Sequence, residues 1–207
     1  GQTRLTNSGG PDVQPTWSSD GTRIIFASVW GTSDGPRICS MAPDGSGSTQ
    51  LSTQPYGQDP TCSPDGRWIA YNADNNGDGW LELWRMNSDG QDQRQMYDPP
   101  ESQTDAWACS WSPDSRYIAF TRIGFISYQG QWYWTQAYLD AWDGQTSSII
   151  RLSVQGEDWD PDWQTTDTLL PYSAMNSLPA QSYAPFTVVW SGGDKGPSGV
   201  QNYDVQA

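Results

Sequence analysis

PTWSSDGTRIIFAS at 15–28, PTCSPDGRWIAYNA at 60–73, CSWSPDSRYIAFTR at 109–122 and a degenerate PDWQTTDTLLPYSA at 161–174 are copies of one phrase. In each, a Trp or its replacement (Trp17, Cys62, Trp111, Trp163) precedes a polar turn and then a short apolar strand. The copies recur at roughly 50 residues, the period of a unit of several strands rather than of a helical repeat. Such units stack side by side as the blades of a β-propeller, so an all-β fold of about four four-stranded antiparallel blades is predicted.

Each repeat resolves into four strands. The first reads PTWSS, RIIFAS, RICSMA and STQLST; the second PTCS, RWIAYNA, LELWRMN and DQRQMYD; the third CSWS, RYIAFTR, WTQAYLDAW and SSIIRLS. Asp-Gly at 20–21, 44–45, 65–66, 89–90 and 143–144 separates them, a strong hairpin cue because both residues tolerate positive φ. TRLT at 3–6 reads as the last strand of a preceding blade. Residues 1–169 therefore form the propeller repeats and 170–185 a Pro/Ser-rich linker. Residues 186–207 form a strand pair or an exchanged strand tail.

Composition agrees. The 207 residues include 21 Gly, 15 Pro and 13 Trp, and helix formers are scarce. A net charge of −14 with ten basic residues repels nucleic acid and anionic membranes and favours cations. No apolar run approaches the roughly 18 residues of a spanning helix, so no membrane insertion is expected. Cys39, Cys62 and Cys109 lack zinc-site spacing and there is no histidine. They read as small core hydrophobes, with a disulfide between neighbouring blades as the alternative. Acidity, Trp content and polar turns suggest an extracellular or cell-surface setting.

Residues 1–168 resemble TolB-like β-propeller repeats. The pieces that carry the resemblance are Asp59-Pro60-Thr61-Cys62-Ser63-Pro64-Asp65-Gly66, Ile118-Ala119-Phe120, Ile38-Cys39-Ser40-Met41 and Arg4-Leu5-Thr6. The tail FTVVWSGGDKGPSGVQNYDVQ resembles the opening strands of bacterial immunoglobulin-like or fibronectin type III-like domains. The first resemblance implies a binding platform, or a cap on a serine peptidase domain that this chain does not carry. It points to binding and assembly rather than catalysis.

Asp74-x-Asn76-x-Asp78-Gly79-Trp80-x-Glu82 is the sharpest side-chain pattern. Asp74, Asn76, Asp78, the carbonyl of Trp80 and Glu82 supply oxygen donors at alternate positions, as a Ca²⁺ loop requires. Arg85 stands where an EF-hand places its last Glu, and the loop instead resembles the calcium hairpins of integrin-type propellers. A plain polar hairpin loop is the alternative reading.

Strand directions alternate within a blade, which places the b–c and d–a connections together on one face. Trp30, Trp107, Phe125, Tyr128, Trp132 and Trp159 fall there, with the acids Asp105, Glu157 and Asp158. The third b–c connection, IGFISYQGQWYW, reads as the longest and most aromatic loop. Rings beside acids suit a glycan or a protein partner, whereas packing between blades is the structural alternative.

No catalytic residues are assigned, because without histidine the common Ser-His-Asp and Cys-His arrangements are absent. Two functions follow. One is a non-enzymatic extracellular assembly protein that joins copies of itself head to tail by strand addition, using Phe186, Val188 and Trp190, as a filament or surface-appendage subunit. The alternative is a glycan- or protein-binding propeller module of a larger surface protein.

Overall fold

The structure is a computed structural model that describes residues 2–31, 33, 35–99, 103–153 and 158–163, with the backbone of Val188–Trp190. Among these residues every regular element is a strand, and no helix is long and apolar enough to cross a membrane. Blade I comprises β1 (Asp12–Trp17), β2 (Ile24–Ser28), β3 (Arg37–Met41) and β4 (Thr49–Gln50). Blade II comprises β5 (Gln58–Cys62), β6 (Trp68–Ala73), β7 (Glu82–Asn87) and β8 (Arg94–Tyr97). Blade III comprises β9 (Thr104–Trp111), β10 (Tyr117–Tyr128), β11 (Gln131–Asp143) and β12 (Ile149–Arg151). Each is an antiparallel sheet whose strands lie in chain order. A two-stranded sheet of β13 (Pro161–Trp163) and β14 (Val188–Trp190) follows.

The repeated Ser and Asp build the first turn of each blade. Ser18 Oγ donates to Asp20 Oδ1 at 2.6 Å, and Asp20 Oδ1 accepts from Thr22 N at 3.0 Å. Ser63 with Asp65 (2.6 Å) and Ser112 with Asp114 (2.5 Å) repeat the arrangement. Only the residue after Asp is left-handed (Gly21 φ 68, Gly66 φ 72, Ser115 φ 60). The expected two-residue turn with positive φ at both centres is therefore replaced by a longer loop. In it the Asp side chain, not its backbone, closes the turn.

A second repeated device was not visible in the sequence. Gln14, Asp59, Ala108 and Asp160 occupy one repeat position, the last just before β13, and all four have positive φ (54, 47, 50 and 49°). The register of blades I, II and III slips at this place. The first strands of blades I, II and III thus each carry a bulge, which bends the strand locally.

Blades stack through alternating side chains. In blade II, Ile69, Tyr71, Trp84 and Met86 face blade I and meet Ile25, Ala27 and Ile38. Ala70 and Leu83 point the other way, toward Ile118, Phe120, Trp111 and Trp142 of blade III. Tyr117, Ala119 and Leu139 of blade III meet Trp163. The motif Trp locks these interfaces: Trp111 Nε1 donates to Thr61 O at 3.3 Å, and Trp163 Nε1 to Ser110 O at 3.0 Å. Each bond reaches the residue just before the motif position of the previous blade. The three cysteines are free, with Cys39 and Cys109 buried, as core packing predicts.

Two expectations are modified. The third b–c connection is not a loop: β10 and β11 remain paired to Tyr128 and Gln131 and form one long hairpin. β13 pairs with Val188–Trp190, a strand the sequence places in the C-terminal tail rather than in the repeat. That strand was expected to be donated to another copy; here it is paired within its own chain. Phe186, the linker 170–185 and the rest of the tail lie outside the described residues, as does Glu157.

Candidate functional site

The b–c side of blades II and III carries two adjoining features. The first is the acidic loop between β6 and β7. Asp74 directly follows β6 and Glu82 begins β7, so their carboxylates leave the same end of the sheet, and both are buried. The loop folds back on them: Gly77 N and Gly79 N donate to Asp74 Oδ1 and Oδ2 at 2.7 and 3.0 Å. Asn75 N donates to Glu82 Oε2 at 3.1 Å. Each of Asp74, Asp78 and Glu82 places a carboxylate oxygen within 4.8 Å of the others.

Asn76 is used differently from the sequence expectation. Its side chain is tied to Asp78, donating to Oδ2 at 3.1 Å and accepting the Asp78 N–H at 2.9 Å. Trp80 donates its backbone N–H to Asp78 Oδ1 at 2.9 Å, while its ring turns to blade III. Asp105, on β9 of blade III, joins the group by accepting Leu81 N at 2.6 Å. Burial, with Asp78 and Asp74 adding repulsion, pushes the Asp105 carboxyl up to about 6 against the Leu81 hydrogen bond. Burial also raises Glu82. Among the described residues no Lys or Arg is ion-paired to any of the four acids.

An all-oxygen donor set with excess negative charge fits a hard cation, and the triad Asp74, Asp78 and Glu82 could hold one. A bound cation would supply the positive charge that these carboxylates lack locally.

The second feature is the β10–β11 hairpin. Its turn, Gln129-Gly130, has positive φ at both residues (52 and 77°), the backbone that matches strand twist in a tight hairpin. Beyond a bulge at Gly124/Phe125, Phe125 pairs with Trp134, Ile126 with Tyr133 and Ser127 with Trp132. Phe125, Trp132 and Trp134 therefore share one face of the hairpin and Ile126, Tyr128 and Tyr133 the other.

Trp80 packs on the first face, 5.2 Å from both Phe125 and Trp132, edge-on to the latter. Trp159 meets Trp134 edge-on at 5.7 Å. Of the aromatic residues singled out in the sequence, Phe125, Trp132 and Trp159 thus belong to one cluster, and Tyr128 lies at the hairpin end. Trp30 sits exposed after β2 and Trp107 half-buried on β9, and no ring contact joins either to the cluster among the described residues. The cluster also contains Trp134, and Ile126 and Tyr133 are exposed beside it. Alternation in FISYQGQWYW around Gln-Gly was the sequence signal for these three.

A shallow cavity of about 370 Å³ lies at the bulges of the inner strands, lined by Gln14, Asp59, Ala108, Cys109 and Asp160. Gln14 Nε2 donates to Asp59 Oδ1 and Asp59 N to Gln14 Oε1, leaving Asp59 Oδ2 buried without a partner. Burial, and then Asp160, push the Asp59 carboxyl up to about 6.

Neither a protein-family profile nor a curated protein matches the chain. Solved structures do. TolB from Acinetobacter baumannii is similar at a TM-score of 0.59 and 21% identity, over 78% of this chain and 37% of that one. A putative TolB from Agrobacterium tumefaciens is similar at 0.56 and 21% identity, over 71% and 50%. An oligogalacturonate lyase in complex with manganese is similar at 0.56 and 16% identity, over 74% and 43%. The chain spans half or less of the length of each. Its fold is that of TolB-like β-propeller blades.

Proposed function

We propose that the protein is a non-enzymatic, extracellular binding module that recognises a glycan through the β10–β11 hairpin, with the acidic loop beside it ordered by Ca²⁺. The observation that carries this reading is the hairpin itself. Ile126, Tyr128, Trp132, Tyr133 and Trp134 are all exposed on one projecting ribbon. A ribbon that served only to pack blades would bury them, and sugar rings stack on such faces while Gln129 and Gln131 offer amide partners. A protein ligand is the other occupant compatible with this surface.

Calcium is favoured over a smaller ion because the donors are all oxygens on a Gly-containing loop with mixed burial, which suits variable coordination. Trp80 links the two features: the loop that would bind the ion also carries the ring under Phe125 and Trp132. Binding rather than catalysis is supported by the lack of any histidine, which removes the common Ser-His-Asp and Cys-His arrangements.

The reading is tested on a polysaccharide and glycan array, with and without Ca²⁺. Binding that is lost on Trp132→Ala and Tyr133→Ala supports it. Binding unchanged by both substitutions, or no binding to any glycan, removes it, and binding only to proteins transfers the surface to the second ligand class.

Self-association is the second reading, and the observation favouring it is the short β13–β14 pairing, three residues in each strand. Strand addition through Val188 and Trp190 would require the three-residue β13–β14 pairing to open or to accept a further strand at its free edge.

A further inference from the structure

Buried indole N–H groups in this fold find acceptors. Trp84 Nε1 donates to Glu82 Oε2 at 3.2 Å, Trp111 Nε1 to Thr61 O at 3.3 Å and Trp163 Nε1 to Ser110 O at 3.0 Å. Trp142, on β11 of blade III, does not follow them. It is 2% exposed, and its Nε1 is enclosed without a partner among the described residues. Leaving a buried donor unbonded forfeits its whole hydration, so an acceptor belongs beside it.

Arg85 of blade II faces this indole. It lies on the same side of β7 as Leu83, which packs toward blade III, and its Cζ is 5.5 Å from the centroid of Trp142 and 3.9 Å from that of Trp68. Arg67, Arg94, Arg116, Arg122 and Arg151 each lie against a carboxylate. Arg85 makes no hydrogen bond or ion pair among the described residues, and its Nε is enclosed like Trp142 Nε1. The charges acting on it are Arg94, its partner on β8, and Asp92, whose Oδ1 is taken by Arg94 Nε at 2.7 Å. Two guanidiniums thus stand against one carboxylate, and the local field is positive although the chain carries −14. Burial, and then Arg94, lower the Arg85 pKa: its charged form lacks compensation here.

We propose that a small monovalent anion, chloride in physiological media, binds between blades II and III, held by the Nε–H of Arg85 and the Nε1–H of Trp142. Chemistry selects the occupant. Guanidinium and indole N–H groups only donate, and the Trp68, Met96 and Ile149 side chains packed against the same cluster are apolar. A water would accept from both donors but leave its own hydrogens unbonded, whereas buried waters make about three hydrogen bonds. An anion only accepts, and it supplies the negative charge that Arg85 lacks. Both nitrogens are enclosed, which favours a monatomic ion over a carboxylate or a sulfate. The site shares no residue with the acidic loop or the hairpin tip, so it stands apart from the calcium and glycan readings.

The test melts the whole chain in sodium chloride, sodium bromide and sodium gluconate at equal ionic strength, gluconate being too large to enter. Chloride and bromide are expected to raise the melting temperature over gluconate by about 2–4 °C, with saturation. Trp142→Phe, which keeps a ring and removes the N–H, is expected to abolish the difference. Arg85→Met, which keeps the stem and removes the charge, is expected to do the same. Arg67→Met, at a largely exposed guanidinium, is the matched control and retains it. Crystals grown in bromide are expected to show an anomalous peak bridging Arg85 Nε and Trp142 Nε1. Equal melting in all the salts with no such peak overturns the inference, as does a water at the bridging position. A chloride effect that persists in both Trp142→Phe and Arg85→Met places the anion elsewhere and overturns it too. If either variant fails to fold, the bromide peak alone decides.

Discussion

Trp17 and Trp111 stand at the same position of two repeats, yet only Trp111 reaches a neighbouring blade, through its indole N–H to the Thr61 carbonyl at 3.3 Å. One residue type thus has different weight at two places: Trp111 is 6% exposed and Trp17 55%. Trp111→Phe removes the bond, leaves a buried carbonyl short of a donor and opens space in the interface. A loss of about 1–3 kcal/mol is expected, a fall of several degrees in melting temperature. Trp17→Phe, at a ring that is 55% exposed, is expected to stay within about 0.5 kcal/mol. Thermal unfolding of the two variants side by side checks this.

Calcium is expected to stabilise the chain. For an extracellular-type site, free Ca²⁺ at about 10 to 100 times the dissociation constant adds about 1.4 to 2.7 kcal/mol. Calorimetry should show the melting temperature rise with Ca²⁺ and return with chelator. Asp74→Asn and Glu82→Gln should abolish the rise, and Asn76→Ala should leave most of it, because Asn76 is committed to Asp78. A rise that persists in Asp74→Asn would place the ion elsewhere.

The hairpin turn should be intolerant at one residue. Gly130 has φ 77°, where a β-branched side chain is strained, so Gly130→Val is expected to lose about 1–2 kcal/mol locally. The turn lies at the far end of a two-stranded ribbon, so the melting temperature should move little while glycan binding falls sharply. Amide exchange localised to 125–134 would report the opening directly.

Asp59 predicts a pH dependence of definite sign. Its carboxyl is raised from the ordinary 3.8 to about 6, first by burial and then by Asp160, so the folded chain holds this proton more tightly than the unfolded chain. The resulting stability is fully present below about pH 4 and is lost as pH rises through about 6. Asp59→Asn should therefore gain on the order of 2 kcal/mol over wild type at pH 7 and little at pH 4. Asn also tolerates the left-handed backbone at this bulge. Urea unfolding at the two pH values checks it; an equal effect at both would show that the carboxyl does not titrate there.

Most strands were legible because their determinants are local. Ile24 to Ser28 is a short apolar run that follows a polar turn, and the Ser18–Asp20 turn closes through bonds spanning two to five residues. The acids Asp74, Asp78 and Glu82 were legible for the same reason. Asp105 was not placed with them, because it arrives from the next blade through a contact to Leu81 that no spacing announces. Trp134, Tyr133 and Ile126 were obscured by reading an aromatic run as a loop, although its two-residue alternation around Gln129-Gly130 is that of a hairpin.

Order along the chain, the repeat and the turns within each blade follow from residues close in sequence, whose hydrogen bonds and alternation act over a few positions. Only the folded arrangement decided which rings stay exposed, which acids lose their solvation, and where Val188–Trp190 pairs. Burial depends on what packs against a residue through space: Trp111 packs against blade II and is buried, whereas Trp17 stays exposed.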